Sequence, residues 1–421
     1  MVRTTARYAE LDAALRQELD LNRPRIDLER ATGSACELHT YRFESKHASV
    51  HPRVDFDQTD PTLRALVSYY LEHSPASDRC FFRNLQSSDR EVAENNHFRY
   101  MVFAPKGPER RWRRGTLLFH GLNEKLWHKY LPWGLALVER TRAPVVLFPI
   151  AFHMNRAPEA WANPREMTAV AGERRRLFPG LNSGSFANAA LSHRVGFAPH
   201  RFITSGLQSY GDSVDLARQL HEGRHALFDA GARLDIFGYS IGASLGELLL
   251  MGNTDGLFAG SRGFLFCGGS VLDHASPVSR TIVDDQAYLG LRRYFRELVE
   301  SPESALPRSV ASALPDPAVP TMVRSLLFRD RLRAEREAAV RPLGSRLQAV
   351  VLERDRVFSA AGFAASWTDE AGRPLIALER ADPSYDYSHE QPFPPGPDAA
   401  DDVDRFYRYV FDRAAEHLAG G

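Results

Sequence analysis

The sequence predicts an α/β fold in which a doubly wound, mostly parallel sheet carries helices on both faces. From residue 97 onwards, short apolar runs alternate with segments of helical periodicity. The runs are apolar without interruption, which is typical of strands that are buried on both faces of a parallel sheet. Strand and helix patterns that alternate in this way favour an open, doubly wound arrangement.

The composition allows a large core and argues against several classes of function. The chain has 421 residues, 43% of them hydrophobic, and a formal net charge of zero. Balanced charge gives no steering towards nucleic acid or an anionic membrane surface. Three scattered cysteines indicate neither a disulfide framework nor a metal site, and no apolar run reaches the ~18 residues of a membrane span. We therefore expect a cytoplasmic protein without a cofactor that acts on a small molecule, in an oligomeric state that the sequence does not indicate.

Residues 1–95 are predicted to form an N-terminal extension. Tyr8, Leu11, Leu15 and Leu19 have helical spacing and indicate an opening amphipathic helix. A strand at 37–43 and a helix near 63–71 are expected to follow.

The core is predicted in two parts, residues 96–272 and 343–421. Its strands are expected at the apolar runs 100–103, 116–119, 145–148, 234–237, 264–266, 347–352 and 375–378. Its helices are expected at 133–141, 213–230 and 241–251, with a last amphipathic helix over 403–418.

Between the two parts, residues 273–342 interrupt the strand–helix alternation. Helical segments are expected at 286–299 and 319–337, separated by a proline-rich joint. This length exceeds a simple crossover, so we interpret the region as a helical cap inserted into the core. The alternative is a set of helices that pack on the sheet away from any site.

A Gly-x-Ser-x-Gly motif follows the strand at 234–237. Gly238 and Gly242 flank Ser240, and glycine is needed there because the incoming strand and the outgoing helix nearly touch. Such a turn strains the serine and lifts its hydroxyl above the sheet edge. The N–H of Ile241, at the start of the helix, would then point to a developing oxyanion.

Partners for a serine nucleophile occur in order further along the chain. A serine needs a base to take its proton and a carboxylate to orient that base. Asp355 follows the strand at 347–352, and His389 follows the strand at 375–378. Glu353 and Asp273 remain alternatives for the carboxylate.

A second oxyanion donor is expected in the loop after the strand at 116–119. This loop begins His120-Gly121-Leu122, and Gly121 would let the backbone turn towards the serine. The Leu122 N–H is then the candidate donor. His120 is expected to be a structural hydrogen-bonding residue.

These motifs resemble the serine α/β-hydrolases. His120-Gly121, the Gly-Tyr-Ser-Ile-Gly turn, Asp355 and His389 carry the resemblance over roughly residues 97 to 418. The longer strings HGLNEKLWHKYLPW, LFPIAFHMNRAP and YSHEQPF are similar to a bacterial group of α/β-hydrolase-like proteins of unknown function. The resemblance implies an α/β-hydrolase fold and a Ser-His-Asp triad that cleaves an ester or thioester through an acyl-enzyme. An acyltransferase with the same triad, or a non-catalytic binding protein of the same fold, remains an alternative.

The loop after the strand at 145–148 offers two further candidates. Loops at the carboxyl ends of parallel strands form the crevice where ligands bind, and this loop contains His153 and Arg156. An arginine presents a planar fork that matches a carboxylate or phosphate, so Arg156 could bind an anionic substrate. The alternative is that Arg156 pairs with a carboxylate such as Glu124 or Asp212. The arginine runs at 110–114 and 174–176 are interpreted as solvated loop charges.

Overall fold

The computed structural model describes residues 7–51, 88–107, 111–302, 316–396 and 399–420. The helix predicted near 63–71 lies outside these ranges. Within them, nine strands form one sheet: β1 (Arg25–Asp27), β2 (Cys36–Glu44), β3 (His97–Pro105), β4 (Trp112–Phe119), β5 (Val145–Leu147), β6 (Phe228–Tyr239), β7 (Gly263–Phe266), β8 (Leu347–Leu352) and β9 (Ala377–Ala381).

Helices occupy both faces of the sheet. Their bounds are α1 (Tyr8–Glu18), α2 (Glu29–Thr32), α3 (Ala93–Asn96), α4 (Tyr130–Thr141), α5 (Pro164–Leu177), α6 (Ala189–Phe197), α7 (His200–His221), α8 (Ile241–Gly252), α9 (Asp285–Glu300), α10 (Val319–Ser325), α11 (Arg333–Val340), α12 (Ala360–Ser366) and α13 (Ala400–Ala419).

The order of the strands is β1-β2-β3-β5-β4-β6-β7-β8-β9. The pairs β1–β2, β2–β3 and β3–β5 are antiparallel. All the pairs from β5 to β9 are parallel. The predicted doubly wound, mostly parallel sheet is therefore confirmed, and the N-terminal residues add β1 and β2 to its antiparallel edge.

Two apolar cores lie on opposite faces of this sheet. Helices α7 and α8 contribute to one core, and α1, α4 and α13 contribute to the other. Burial on both faces is the physical reason that β4, β6 and β7 read as continuous apolar runs. Among the described helices, none combines the length and the hydropathy that a membrane crossing would need.

The helix predicted at 213–230 differs from the observed elements. Helix α7 ends at His221, and β6 already begins at Phe228. Gly223 has a φ of 69°, which is left-handed backbone of the kind that terminates a helix. The strand that leads to Ser240 is consequently longer than its apolar run indicated, because its first half, from Phe228 to Arg233, contains polar and small residues.

Residues 273–342 contain α9, α10 and α11. Helix α9 packs on α6, and α10 packs on α8, the helix that directly follows Ser240. Helix α10 therefore packs on the helix that starts at the turn with Ser240.

The interpretation of residues 174–176 as solvated loop charges is wrong for Arg174. This residue lies inside α5, its side chain is only 1% exposed, and its guanidinium binds both carboxylate oxygens of Asp284 at 2.6 and 2.7 Å. Asp284 also accepts from the N–H of Ala287 and so caps α9. The pair fastens α5 to the start of α9, whereas Arg175 and Arg176 are exposed.

We predict that Arg174→Met destabilises the protein by about 3–5 kcal/mol, because Asp284 would remain buried without its partner. The matched change Arg175→Met removes an exposed arginine from the same helix and should alter stability by no more than about 0.5 kcal/mol. Urea unfolding of both variants measures these free energies. Equal, small effects would show that the pair contributes little.

Candidate active site

The turn at Ser240 is as tight as the sequence indicates. Strand β6 ends at Tyr239, α8 begins at Ile241, and Ser240 between them has φ 55° and ψ −125°. A Cβ atom on Gly238 would lie 2.5 Å from the Cα of Ala243. A Cβ atom on Gly242 would lie 2.6 Å from the carbonyl oxygen of His120. No other residue fits at either position, so the backbone contacts hold Ser240 in its strained conformation.

A third close approach was missed by the sequence analysis. Gly268, two residues after β7, would place a Cβ atom 2.2 Å from the carbonyl oxygen of Ser240. The preceding residue, Cys267, has a positive φ of 51°. The signal in the sequence was the Gly268-Gly269 pair that directly follows an apolar strand, since glycine in such a place often marks a close backbone approach.

The structure brings the three predicted triad side chains together. Ser240 Oγ and His389 Nε2 are 2.8 Å apart, and His389 Nδ1 and Asp355 Oδ2 are 2.8 Å apart. Each of the three residues is only 4% exposed. The Asp355 carboxylate accepts a hydrogen bond from the Nδ1–H group of His389. The Nε2 atom therefore carries no proton and can accept the hydrogen bond of the serine hydroxyl.

Geometry distinguishes Asp355 from the two alternative carboxylates. Its Oδ1 atom accepts from the N–H groups of Val357 and Phe358 at 2.7 and 3.0 Å, which fixes the carboxylate in the loop after β8. Glu353 instead pairs with an exposed arginine of β9, and Asp273 pairs with an arginine of α9. Of the three, Asp355 alone has a hydrogen bond to a histidine among the described residues.

Aromatic side chains hold His389 in place. The ring of Tyr239 lies nearly parallel to the imidazole, with 5.5 Å between the ring centroids, and its hydroxyl donates to the carbonyl oxygen of His389. The ring of Phe358 lies 5.7 Å away. The residue before Ser240 and the loop that carries Asp355 therefore both contact His389.

The loop after β4 runs against the serine. A Cβ atom on Gly121 would lie 3.4 Å from the Cβ of Ser240, so the next residue, Leu122, begins its backbone close to the nucleophile. Within the ranges that the structure covers, the N–H groups of Leu122 and Ile241 have no hydrogen-bond acceptor. Two unpaired donors beside a serine hydroxyl are the arrangement that an oxyanion hole requires.

Buried polar groups brace this loop from behind. The N–H of Gly121 donates to the hydroxyl of Tyr130 at 2.9 Å, and that hydroxyl donates to the Glu124 carboxylate at 2.9 Å. Lys129 forms an ion pair with Glu124 and donates to the carbonyl oxygen of Glu390 at 3.0 Å. The loop after β4 is thereby tied to the loop that carries His389.

Two neutral histidines complete the brace. His153 Nε2 accepts from the N–H of Asn123 at 2.9 Å, and its Nδ1 donates to the carbonyl oxygen of Ala151 at 2.8 Å. His120 Nε2 accepts from the N–H of Ile150 at 3.0 Å. Burial lowers the pKa of His153 to about 4 and that of His120 well below its usual value. Both rings can therefore act as hydrogen-bond acceptors at neutral pH.

The structure does not bring Arg156 to the site as an anion-binding residue. Its side chain is fully buried, its Nη2 donates to Asp212 at 2.7 Å, and its Nη1 donates to the carbonyl oxygen of Pro149 at 3.0 Å. The guanidinium also lies 4.0 Å from the centre of the Phe98 ring. These partners use the hydrogen-bond donors of the Arg156 guanidinium that an anionic substrate would need. The expected role of Arg156 in substrate binding is therefore wrong, and the alternative pairing with Asp212 describes this residue.

Two adjoining cavities surround the serine. We call the one that contains Ser240, about 570 Å³ including its solvent-open part, the serine cavity. The other, about 910 Å³ by the same measure, is called the inner cavity. Tyr288, Leu291 and Phe295 of α9 line the serine cavity, so the region between the two parts of the core contributes its wall. In the described ranges, no group of three or more His, Cys, Asp or Glu side chains is arranged to hold a metal ion.

The whole chain matches one protein family. The model of DUF6051, a family of unknown function, matches residues 6–419. The chain belongs to the DUF6051 family. No curated protein matches it.

Solved structures to which this member of DUF6051 is similar include three esterases. Carboxyl esterase 2 of the mycorrhizal fungus Tuber melanosporum is 12% identical, with a TM-score of 0.40, over 77% of this chain and 82% of that one. An esterase of Pyrobaculum calidifontis is 13% identical, with a TM-score of 0.40, over 86% of this chain and 98% of that one. The esterase LipW of Mycobacterium marinum is 14% identical, with a TM-score of 0.36, over 87% of this chain and 98% of that one.

We predict that His153 makes the protein less stable in acid. Its pKa is about 4 in the folded chain and about 6.5 in the unfolded chain. Between these values the unfolded chain binds the proton and the folded chain does not, so stability falls as the pH falls from about 6.5 to about 4. The expected loss from this residue is about 3 kcal/mol.

The matched variant His153→Gln keeps an acceptor for the Asn123 N–H but does not titrate. Urea unfolding of both proteins across this pH range should show a shallower loss for the variant. Parallel curves would mean that His153 is not held neutral in the folded protein.

Proposed function

We propose that this protein is a serine hydrolase that cleaves an ester or thioester through an acyl-enzyme on Ser240. The observation on which the proposal rests is the continuous hydrogen-bond chain from Ser240 through His389 to Asp355, with 2.8 Å at each link. This series of hydrogen bonds ends at Ser240, which lines a cavity and lies beside two unpaired backbone N–H groups. Nucleophile, base, orienting acid and oxyanion donors are the four parts that acyl transfer requires.

In the first half of the reaction, Ser240 Oγ attacks the carbonyl carbon of the substrate. His389 Nε2 takes the hydroxyl proton, and the Asp355 carboxylate stabilises the resulting imidazolium. The negative charge that develops on the carbonyl oxygen is met by the N–H groups of Leu122 and Ile241. These donors are fixed before the substrate arrives, so they need no reorganisation during the reaction.

In the second half, the leaving group departs and the enzyme is restored. His389 returns its proton to the leaving oxygen or sulfur, which leaves the acyl group on Ser240. Water then attacks the acyl-enzyme with His389 again as base, and the acid is released. The resemblance to serine α/β-hydrolases favours an ester or thioester over an amide.

The region 273–342 is proposed to act as a cap over this chemistry. Tyr288, Leu291 and Phe295 of α9 face the same cavity as Ser240. An apolar cover excludes bulk water and strengthens the electrostatic interactions inside. If an alcohol rather than water reaches the acyl-enzyme, the same triad transfers the acyl group, and product analysis in the presence of added alcohols separates the two outcomes.

Hydrolysis of p-nitrophenyl acetate should depend on Ser240. We expect Ser240→Ala to lower kcat by at least about 10³-fold, because the nucleophile is removed while the fold remains. The matched control Ser213→Ala changes a buried serine of α7 whose hydroxyl only donates to the helix backbone. It should retain the activity of the unchanged protein. Turnover that persists in Ser240→Ala would refute Ser240 as the nucleophile, whereas no turnover in the unchanged protein would favour a non-catalytic binding role.

The acid should be Asp355. We expect Asp355→Asn to lower kcat by about 10⁴-fold, because the amide can no longer hold the Nδ1–H tautomer of His389. Glu353→Gln and Asp273→Asn change the two alternative carboxylates and should lower kcat by less than about tenfold. Steady-state kinetics of the three variants gives the ranking, and a largest loss at either alternative position would move the acid there.

A further inference from the structure

We infer that the acyl part of the substrate is a long hydrocarbon chain that occupies the inner cavity, and that Gly206 limits its length. The inference rests on the proposed acyl-enzyme chemistry of Ser240. Beyond that chemistry, we assign the acyl chain to the inner cavity and the limit on its length to Gly206.

The serine cavity and the inner cavity adjoin at Leu122 and Ile241, the proposed oxyanion donors. Leu122 and Ile241, whose N–H groups flank the serine, line both cavities. The other shared wall residues are apolar as well: Leu191, Val195, Phe202 and Leu272. A chain attached to the carbonyl carbon at Ser240 can therefore continue past these residues into the inner cavity without meeting a polar side chain.

The position of His389 determines which cavity binds the leaving group and which binds the acyl chain. The leaving group must receive its proton from His389, so it must lie on the histidine side of the serine. Val357 and Phe358, which follow the acid and pack near the imidazole, line the serine cavity. Neither lines the inner cavity. The leaving group therefore belongs in the serine cavity, and the acyl chain extends in the other direction, into the inner cavity.

The walls of the inner cavity suit a hydrocarbon. They come from helices α6, α7, α8 and α10 and from adjoining loops, and include Leu207, Leu248 and Val323. The cavity also has two arginines in its wall, Arg194 and Arg201, and both are directed to the carboxylate of Asp89, at 2.6 and 3.6 Å. His153, Ser205, Ser209 and Ser244 also line the cavity, but most of its wall surface is apolar. Burial of methylene groups is therefore the main source of affinity, at about fourfold per methylene.

Gly206 leaves space in one of these walls. It lies inside α7 and lines the inner cavity. Apart from its chain neighbours and the backbone of its own helix, no atom of the described residues lies within 4 Å of a Cβ placed on it. Glycine is unfavourable inside a helix compared with residues that bear side chains. A side chain at this position would favour the helix but would take up room that an acyl chain needs.

The experiment compares kcat/KM for p-nitrophenyl dodecanoate and p-nitrophenyl acetate. In the unchanged protein the dodecanoate should be the better substrate. In Gly206→Leu the ratio of dodecanoate to acetate should fall by about tenfold or more, and Gly206→Ala should give an intermediate ratio. Because leucine favours a helix, the melting temperature of Gly206→Leu should be no lower than that of the unchanged protein.

Gly172→Leu provides the matched control. Gly172 is also a half-buried helical glycine, in α5, and no described atom lies within 4 Å of a Cβ placed on it, but it lines neither cavity. This variant should keep both rate constants. A preference for acetate, or a ratio that Gly206→Leu leaves unchanged while acetate hydrolysis still requires Ser240, would overturn the inference and leave the proposed function intact.

A binding measurement keeps the two proposals separate if no ester is hydrolysed. That result would count against the hydrolase. Sodium dodecanoate, below its critical micelle concentration, is then titrated calorimetrically into Ser240→Ala with and without Gly206→Leu. Binding that the second change weakens by about tenfold or more supports the inner cavity as a site for a long acyl chain. Absence of binding, or equal binding to both proteins, overturns it.

Discussion

Contact between backbones at the end of β6 is the constraint on which the site depends. Strand, helix and two neighbouring loops approach one another so closely that Gly238, Gly242 and Gly268 have no room for a side chain. Their contacts fix Ser240 at φ 55° and ψ −125°. A residue with this backbone is costly in isolation, by about 1–3 kcal/mol, and persists only where its surroundings over-determine it. The large two-faced core around the sheet provides that stability.

The same constraint explains why the polar groups around the serine are arranged as they are. The loop after β4 lies so close to Ser240 that its backbone is shielded from water, and Tyr130 and His153 accept hydrogen bonds from its N–H groups at Gly121 and Asn123. The ring of His120, within this loop, accepts from the N–H of Ile150 in the next loop. Those partners are buried and the two histidines are neutral. The N–H groups of Leu122 and Ile241 have no acceptor among the described residues, and they are proposed as the donors that remain for a substrate.

The sequence was most informative where local pattern and tertiary position coincide. The alternation of apolar runs predicted the sheet, and glycine spacing predicted the turn at Ser240. The sequence could not choose among Asp355 and its two rivals, because the choice depends on which loop meets the histidine in space. Nor could it distinguish Arg156 as a buried partner of Asp212 from an anion-binding residue, since charge alone does not indicate burial. Gly268 was missed because its contact is with a residue distant in sequence.

We propose that Ser240, held in this turn, is a nucleophile activated by His389 and Asp355. The most direct measurement is to react the native protein with a fluorophosphonate and to locate the adduct by peptide mass spectrometry. We predict a single adduct on the peptide that contains Ser240, and its loss when the protein is denatured before reaction. An adduct on another serine, or no adduct on the native protein, would contradict it.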